Sequence, residues 1–400
     1  MPKIHARALA GLLALAAPLP ASLAASLPAE AQEPRPFTIG FIATMTGAGG
    51  VTGQKTRDGL QLAIDQKGGR LGGLPTRLLV EDDQDKPDIA RQIVEKFMLS
   101  DKVDVIVAGG FSNILLAIAA PVTSAGTLLI SANGGPSLLA GKGCSPWFFN
   151  TSWQSDTYAE AAGAWLQSKG VGRVYMLAPN YTAGRDVMTG FRRTYHGTIV
   201  GEKLTEMKQL DFAAEFAEVR AARPDALFAF YPGGLGIQFI KQFAQSGLGA
   251  TLPLYTAHTI DGTTLRAVGA AAVGQLFTTF WGADLDTAAN RAFVAAWRAK
   301  FGDEPTEYSA QSYDAGLLLD GAIRAVHGDI ANRVALRDAV ARADFASVRG
   351  DFAFARDHFP IENYYIARVE KGADGQPVMR LGEMVLHDYA NAYDAECKAK

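Results

Sequence analysis

One stretch, residues 103–137 (VDVIVAGGFSNILLAIAAPVTSAGTLLISANGGPS), constrains the fold more than any other. Residues 103–108 are an apolar, β-branched run that reads as a strand buried on both faces, as in parallel sheets. Gly109 and Gly110 end it, and Phe111, Ser112 and Asn113 stand at a helix start, where Ser or Asn can cap the first N–H groups. A helix over residues 114–123 follows, and a second strand, 127–131, runs into Ala132, Asn133, Gly134 and Gly135. Both polar turns thus fall at the carboxyl ends of neighbouring strands, the edge of an open α/β sheet where ligands bind. Free N–H groups and the helix dipole favour an anion there. The plainer reading is a pair of ordinary strand–helix turns.

The same alternation runs along most of the chain. Strands are expected at 37–43, 77–83, 146–153, 173–179, 198–204, 225–232, 253–258 and 276–282. Helices are expected at 53–66, 88–99, 157–168, 186–195, 212–222, 235–245, 287–301, 308–326 and 331–343, with short strands and turns after them. The fold class is α/β: two Rossmann-like lobes, each with its own row of strand-end loops. The expected division is 37–152 with 282–348 for lobe one, 153–281 with 349–388 for lobe two, and a tail over 389–400. Three strands form the hinge, with crossings near Trp153, Trp281 and Arg349.

Residues 1–31 read as an export leader. Lys3 and Arg7 precede an Ala/Leu-rich run, Pro18 and Pro20 interrupt it, and Ala29-Glu30-Ala31 supplies a small-x-small cleavage site. Cleavage after Ala31 would leave 369 residues (400 minus 31). The prolines argue against a membrane anchor, and no cysteine stands near the site to carry a lipid. An oxidising destination makes Cys144 and Cys397 candidates for a disulfide, with two free buried thiols as the alternative. A net charge of −3 speaks against a nucleic-acid surface.

Catalytic motifs are missing from the sequence: no G-x-x-x-x-G-K-[ST], no G-x-G-x-x-G after a strand, no H-E-x-x-H and no G-x-S-x-G. The six histidines show no metal spacing, and only His258 falls at a strand end. The acidic run Glu81, Asp82, Asp83, Asp85 lacks a calcium-loop pattern and reads as a solvated turn with a helix cap. The strand-end rim instead collects aromatic and amide side chains: Phe111, Asn113, Asn133, Trp153, Gln154, Asn180, Tyr181, Tyr231 and Trp281. Aromatic walls with a few convergent polar groups make a small-molecule pocket. No enzyme activity, metal or cofactor is expected.

On the segments IGFIATMTGAGG, LLVEDDQDKPDIA, VIVAGGFSN, LLISANGGPS, APNYTAGRD and ALFAFYPGG, the chain resembles the periplasmic substrate-binding proteins of ABC importers, in the branched-chain amino-acid class with the type I fold. The resemblance implies a periplasmic, monomeric receptor whose lobes close on a ligand and whose partners are permease subunits in the inner membrane. It carries ligand contacts to Ser112 and Asn113, to Asn133, Gly134 and Gly135, and to Tyr181, Tyr231 and His258. Where the amino-acid binders of this class set an acid against the ammonium, His258 stands here. That departure, with the aromatic rim, makes the chain similar to the branch that binds aromatic carboxylates of the benzoate or phenylpropanoid kind. An amino-acid receptor, an exported α/β enzyme and a ligand-sensing module remain the alternatives.

Overall fold

Five of the expected apolar runs assemble into one sheet, joined by a short strand that was not expected, and a further set into a second, in a computed structural model that describes residues 35–398. The expected leader and its cleavage site lie outside these residues. The first sheet comprises β1 (Phe37–Ala43), β2 (Arg70–Leu71), β3 (Leu74–Asp82), β4 (Val105–Ala108), β5 (Leu128–Ser131) and β6 (Phe148–Asn150) in the order β2-β3-β1-β4-β5-β6. All of its pairs are parallel except the short β2–β3 hairpin. Its helices are α1 (Gly50–Gln66), α2 (Pro87–Leu99), α3 (Ser112–Ser124) and the single turn α4 (Ser137–Ala140). Every residue of β4 and β5 is buried, as an unbroken apolar run in a doubly covered sheet requires.

The second sheet contains β7 (Arg173–Pro179), β8 (Thr198–Thr205), β9 (Ala226–Phe230), β10 (Leu254–Ala257), β11 (Leu276–Thr279), β12 (Ala353–Phe354), β13 (Pro360–Lys371) and β14 (Pro377–Tyr389). The order is β12-β13-β11-β10-β9-β7-β8, with β14 on β13. Strands β7 to β11 pair in parallel, while β12, β13 and β14 join antiparallel. The helices here are α5 (Thr157–Ser168), α6 (Thr182–Thr194), α7 (Ala213–Ala222), α8 (Gly234–Gln245) and the short α9 (Leu265–Val268). Three further helices lie between β11 and β12: α10 (Ala288–Phe301), α11 (Glu307–Ala325) and α12 (Arg333–Ala341). Helix α11 is buried along most of its length and packs on α1, so closely that a Cβ on Gly59 would lie 2.2 Å from the Ser309 carbonyl oxygen.

In each sheet the strand order reverses beside the first strand, at β1/β4 and at β7/β9. Ligand crevices open at such switch points. Arg349 gathers the segments that run between the sheets. Its guanidinium donates to the carbonyls of Thr151 (2.8 Å) and Ser152 (3.1 Å), to Asp314 of α11 (3.0 Å) and to Glu362 of β13. It also lies over the Phe280 ring, 5.1 Å from the centroid. The cysteines pair: Cys144, past α4, is bonded to Cys397, past β14. Before that bridge, Tyr393 takes a hydrogen bond from Arg193 (3.0 Å) and gives one to Asp156 (2.8 Å).

Two expectations fail locally. The acidic run is only in part a solvated turn: Asp85 is exposed, Glu81 and Asp82 are half-buried, and Asp83 is taken out of solvent. Asp83 is fully buried, and its carboxylate accepts from the Thr44 hydroxyl (2.6 Å) and the Asp85 N–H (2.8 Å). Desolvation pushes its pKa up to about 6 despite those bonds. Nor does the run cap α2, whose N-cap is Lys86 with no side-chain cap bond.

Candidate functional site

The two rows of strand-end loops face each other across a narrow cavity. From the first sheet come Phe111, Ser112, Asn133 and Gly134; from the connection after β6 come Trp153 and Ser155. The second sheet contributes Tyr181, Ala183, Val187, Phe230, Pro232 and His258, and α11 contributes Tyr308.

On the first wall, α3 begins at Ser112, one residue earlier than a Ser112 cap requires and two earlier than an Asn113 cap. Phe111 is the N-cap, in extended backbone (φ −70°, ψ 167°), and no side chain caps the helix. Asn113 is a helical residue that turns its Nδ2 to Asp85 Oδ1 (3.2 Å), away from the cavity lining. What this wall offers an anion is therefore the start of α3 itself, where the first N–H groups have no intrahelical acceptor. The neighbouring turn is braced: Asn133 donates to the Gly109 carbonyl (3.0 Å), and the carbonyls of Asn133 and Gly134 accept from Ser152 (2.6 Å) and Asn150 (3.0 Å). At Gly135 a Cβ would lie 1.8 Å from the Trp153 carbonyl oxygen, so only glycine lets the turn meet the connecting chain.

On the second wall, Tyr181 is the uncapped N-cap of α6 and mirrors Phe111. The two rings meet edge to face (6.4 Å, 84°), and Tyr181 lies parallel to Phe230 (6.2 Å, 9°). Helix α6 starts at Thr182, four residues before the expected start, which brings Ala183 and Val187 onto the cavity.

His258 closes the wall at the end of β10 and is 3% exposed. Its ring sits against Trp153 (4.1 Å between centroids) and Tyr158 (3.8 Å), and its Nδ1 lies 3.0 Å from Glu307 Oε1. Burial alone pushes the Glu307 carboxyl up, and burial holds the His258 imidazole down. Both shifts favour the uncharged forms, so near neutrality the contact is an O–H donor on Glu307 bonded to Nδ1, with the imidazole hydrogen on Nε2. One turn on, Asp261 accepts from the N–H groups of Thr263 and Thr264, and burial raises its pKa to about 6.

Seven of the eleven expected ligand residues line this cavity: Phe111, Ser112, Asn133, Gly134, Trp153, Tyr181 and His258. Four do not. Asn113 is turned to Asp85. Gln154 folds back on Asp156, donating to Oδ1 (3.0 Å) and accepting from its N–H (3.1 Å). Tyr231 faces α8, stacked on Phe239 (4.6 Å) with its hydroxyl 3.2 Å from Thr205 Oγ1. Successive residues of a strand point to opposite sides, and it is Phe230 that meets the cavity. Trp281 is a core residue, bonded through Nε1 to Asn290 Oδ1 (2.8 Å) and packed edge-on against Phe293. The expectation that no acid stands near His258 is also corrected. Glu307 lies 49 positions further on, brought there by packing that no local pattern announces. Among the described residues no group of His, Cys, Asp and Glu is arranged to hold a metal ion. Nor is any described helix long and apolar enough to cross a membrane.

Comparison with known proteins agrees with this geometry. The family model described as periplasmic binding protein matches residues 36–376. A solute-binding protein of an ABC transporter from R. palustris, solved in complex with benzoate, is 30% identical, with a TM-score of 0.85 over 91% of this chain and 100% of that one. A second, from Rhodopseudomonas palustris BisB5 in complex with 3,4-dihydroxybenzoic acid, is 28% identical, with a TM-score of 0.80 over 88% and 98% of the two chains. Among curated proteins, the Leu/Ile/Val-binding protein homolog 6 of Brucella melitensis is 24% identical over 368 residues, 88% of this chain and 92% of that protein.

Proposed function

We propose that this chain, which belongs to the periplasmic binding protein family, captures a small aromatic carboxylate between its two lobes and delivers it to the permease of an ABC importer. The observation that carries this reading is the pairing of an uncapped helix start on one wall with aromatic rings around the rest. The start of α3 receives the carboxylate. Phe111, Trp153, Tyr181, Phe230 and Tyr308 enclose the ring, at about 0.5–1.5 kcal/mol per aromatic pair beyond burial. Ligands of the two R. palustris relatives support the assignment: benzoate and 3,4-dihydroxybenzoic acid are ring-bearing acids without an ammonium group. In this reading the protein works in the periplasm, reached through the leader read over residues 1–31, and acts as a monomer.

An α-amino acid is the second reading, favoured by the name of the Brucella relative and by Glu307, which stands behind the cavity wall against His258. Against it, Glu307 already gives its hydrogen to His258, and a buried ammonium needs an ionised partner. Calorimetry with 3-phenylpropanoate and phenylalanine separates the two, because the pair differ only in the amino group. The acid alone is expected to bind. Binding of phenylalanine without the deaminated acid would refute the carboxylate reading. Scattering with saturating ligand should give a smaller radius of gyration as the lobes close.

A further inference from the structure

A buried polar atom without a partner is costly, and most are paired. Among the described residues, two unpartnered ones belong to residues that line the cavity, His258 Nε2 and Ser155 Oγ, and the Tyr158 hydroxyl behind them is unpartnered too. His258 and Ser155 are cavity walls, each 3% exposed. Tyr158 lies one ring further back, against the imidazole. His258 cannot turn aside to find another partner, because Trp153 and Tyr158 hold its ring and Glu307 holds its Nδ1. Its backbone is also in the left-handed region (φ +46°), an unfavourable conformation that persists only where the surroundings impose it.

These atoms ask for a specific chemistry. With the hydrogen of Glu307 on Nδ1, Nε2–H is a donor and Ser155 Oγ either donates or accepts. An apolar ring edge would leave both unpaired, and an ammonium offers no acceptor to Nε2–H. A hydroxyl oxygen can accept from His258 and pass its own hydrogen to Ser155. We propose that His258 and Ser155 form a hydroxyl-reading subsite, so that the ligand of this cavity is an aromatic acid carrying a ring hydroxyl. The inference rests on the aromatic-acid reading above and narrows it.

Calorimetry on the purified protein with benzoate, 3-hydroxybenzoate and 4-hydroxybenzoate tests it. At least one hydroxylated acid should bind about tenfold or more tighter than benzoate, the penalty of a buried group left unpaired. In His258→Asn, whose amide side chain tolerates the left-handed backbone, that ratio should fall towards one. Ser155→Ala removes no hydrogen bond that the protein makes for itself, so it keeps the fold and should also lower the ratio. The bound hydroxyl should shift the ¹⁵N resonance of His258 Nε2, and benzoate should shift it less. Benzoate binding as tightly as both hydroxylated acids would overturn the subsite and leave the aromatic-acid reading standing. Binding of none of the three would defeat that reading, and the subsite with it.

Discussion

Replacing Glu307 by Gln tests the electrostatics of the site most sharply. Glu307 and His258 are each 3% exposed and 3.0 Å apart, a geometry that would pass for a buried ion pair. Were it one, removing one charge would leave the other buried and uncompensated, at about 3–5 kcal/mol. Burial disfavours the charged form of both groups, so the contact is a neutral O–H···N bond. The amide of Gln has the same shape and can donate to Nδ1 as the acid does. Glu307→Gln is therefore expected to change stability by less than about 1 kcal/mol. Glu307→Ala loses the bond and leaves a void, and is expected to cost about 2–4 kcal/mol. Urea unfolding followed by tryptophan fluorescence measures both, provided the m-values agree with that of the parent. Histidine ¹⁵N spectra add a direct reading: His258 should keep a single N–H, at Nε2, from pH 5 to 7. A loss of 3 kcal/mol or more in the Gln variant, or an imidazolium signal in that range, would refute the neutral pair.

Three further outcomes are expected. Cys144 and Cys397 stand 253 positions apart, a loop whose closure is worth about 5 kcal/mol on chain entropy alone and about 2–4 kcal/mol in common experience. Reduction, or Cys397→Ser, should lower the calorimetric midpoint by about 3–5 °C, and an unchanged midpoint would contradict the bridge. Arg349→Lys keeps the charge but cannot reach Thr151, Ser152, Asp314 and Glu362 together; a loss of about 3–5 kcal/mol in denaturant unfolding is expected, and one below 1 kcal/mol would count against its role at the crossings. Burial raises Asp83, Asp186 and Asp357 to about 6 in the folded protein, above the ordinary value of about 4 in an unfolded chain. The folded state therefore holds protons that the unfolded chain releases. The stability they confer is complete below about pH 4 and lost as the pH rises through about 6. The midpoint at pH 5.5 should thus exceed that at pH 7.5 by about 2 °C or more, and a lower value would reverse the sign of the argument.

Sheets and strand-end turns were legible because they rest on local physics. A run such as residues 105–108 has no polar atom to expose, and its glycines break the strand where a helix must start. Element ends slipped by a few residues, with consequences at the site. Starting α6 at Thr182 instead of 186 makes Tyr181 an N-cap and places Ala183 and Val187 on the cavity. At the end of β9 the sequence points to Tyr231, but alternation along the strand turns Phe230 to the cavity and Tyr231 to α8. Trp281 carried no mark to distinguish a core indole from a pocket one; its partner Asn290 lies in a helix not yet begun. Glu307 and Tyr308 could not be read locally at all. They reach the site from the first turn of α11, after the chain has left both rows of strand-end loops. The pairing of Cys144 with Cys397 followed from compartment and number rather than from any spacing.

The position of that bridge along the chain also sets an order of events. Cys397 follows β14, so its partner on the first sheet waits until every strand of both sheets has been synthesised. A chain interrupted anywhere before that point cannot be sealed. Oxidation then acts as a proof of completeness. A reduced pool under oxidising conditions would mark molecules whose last hairpin, β13 with β14, has not yet docked.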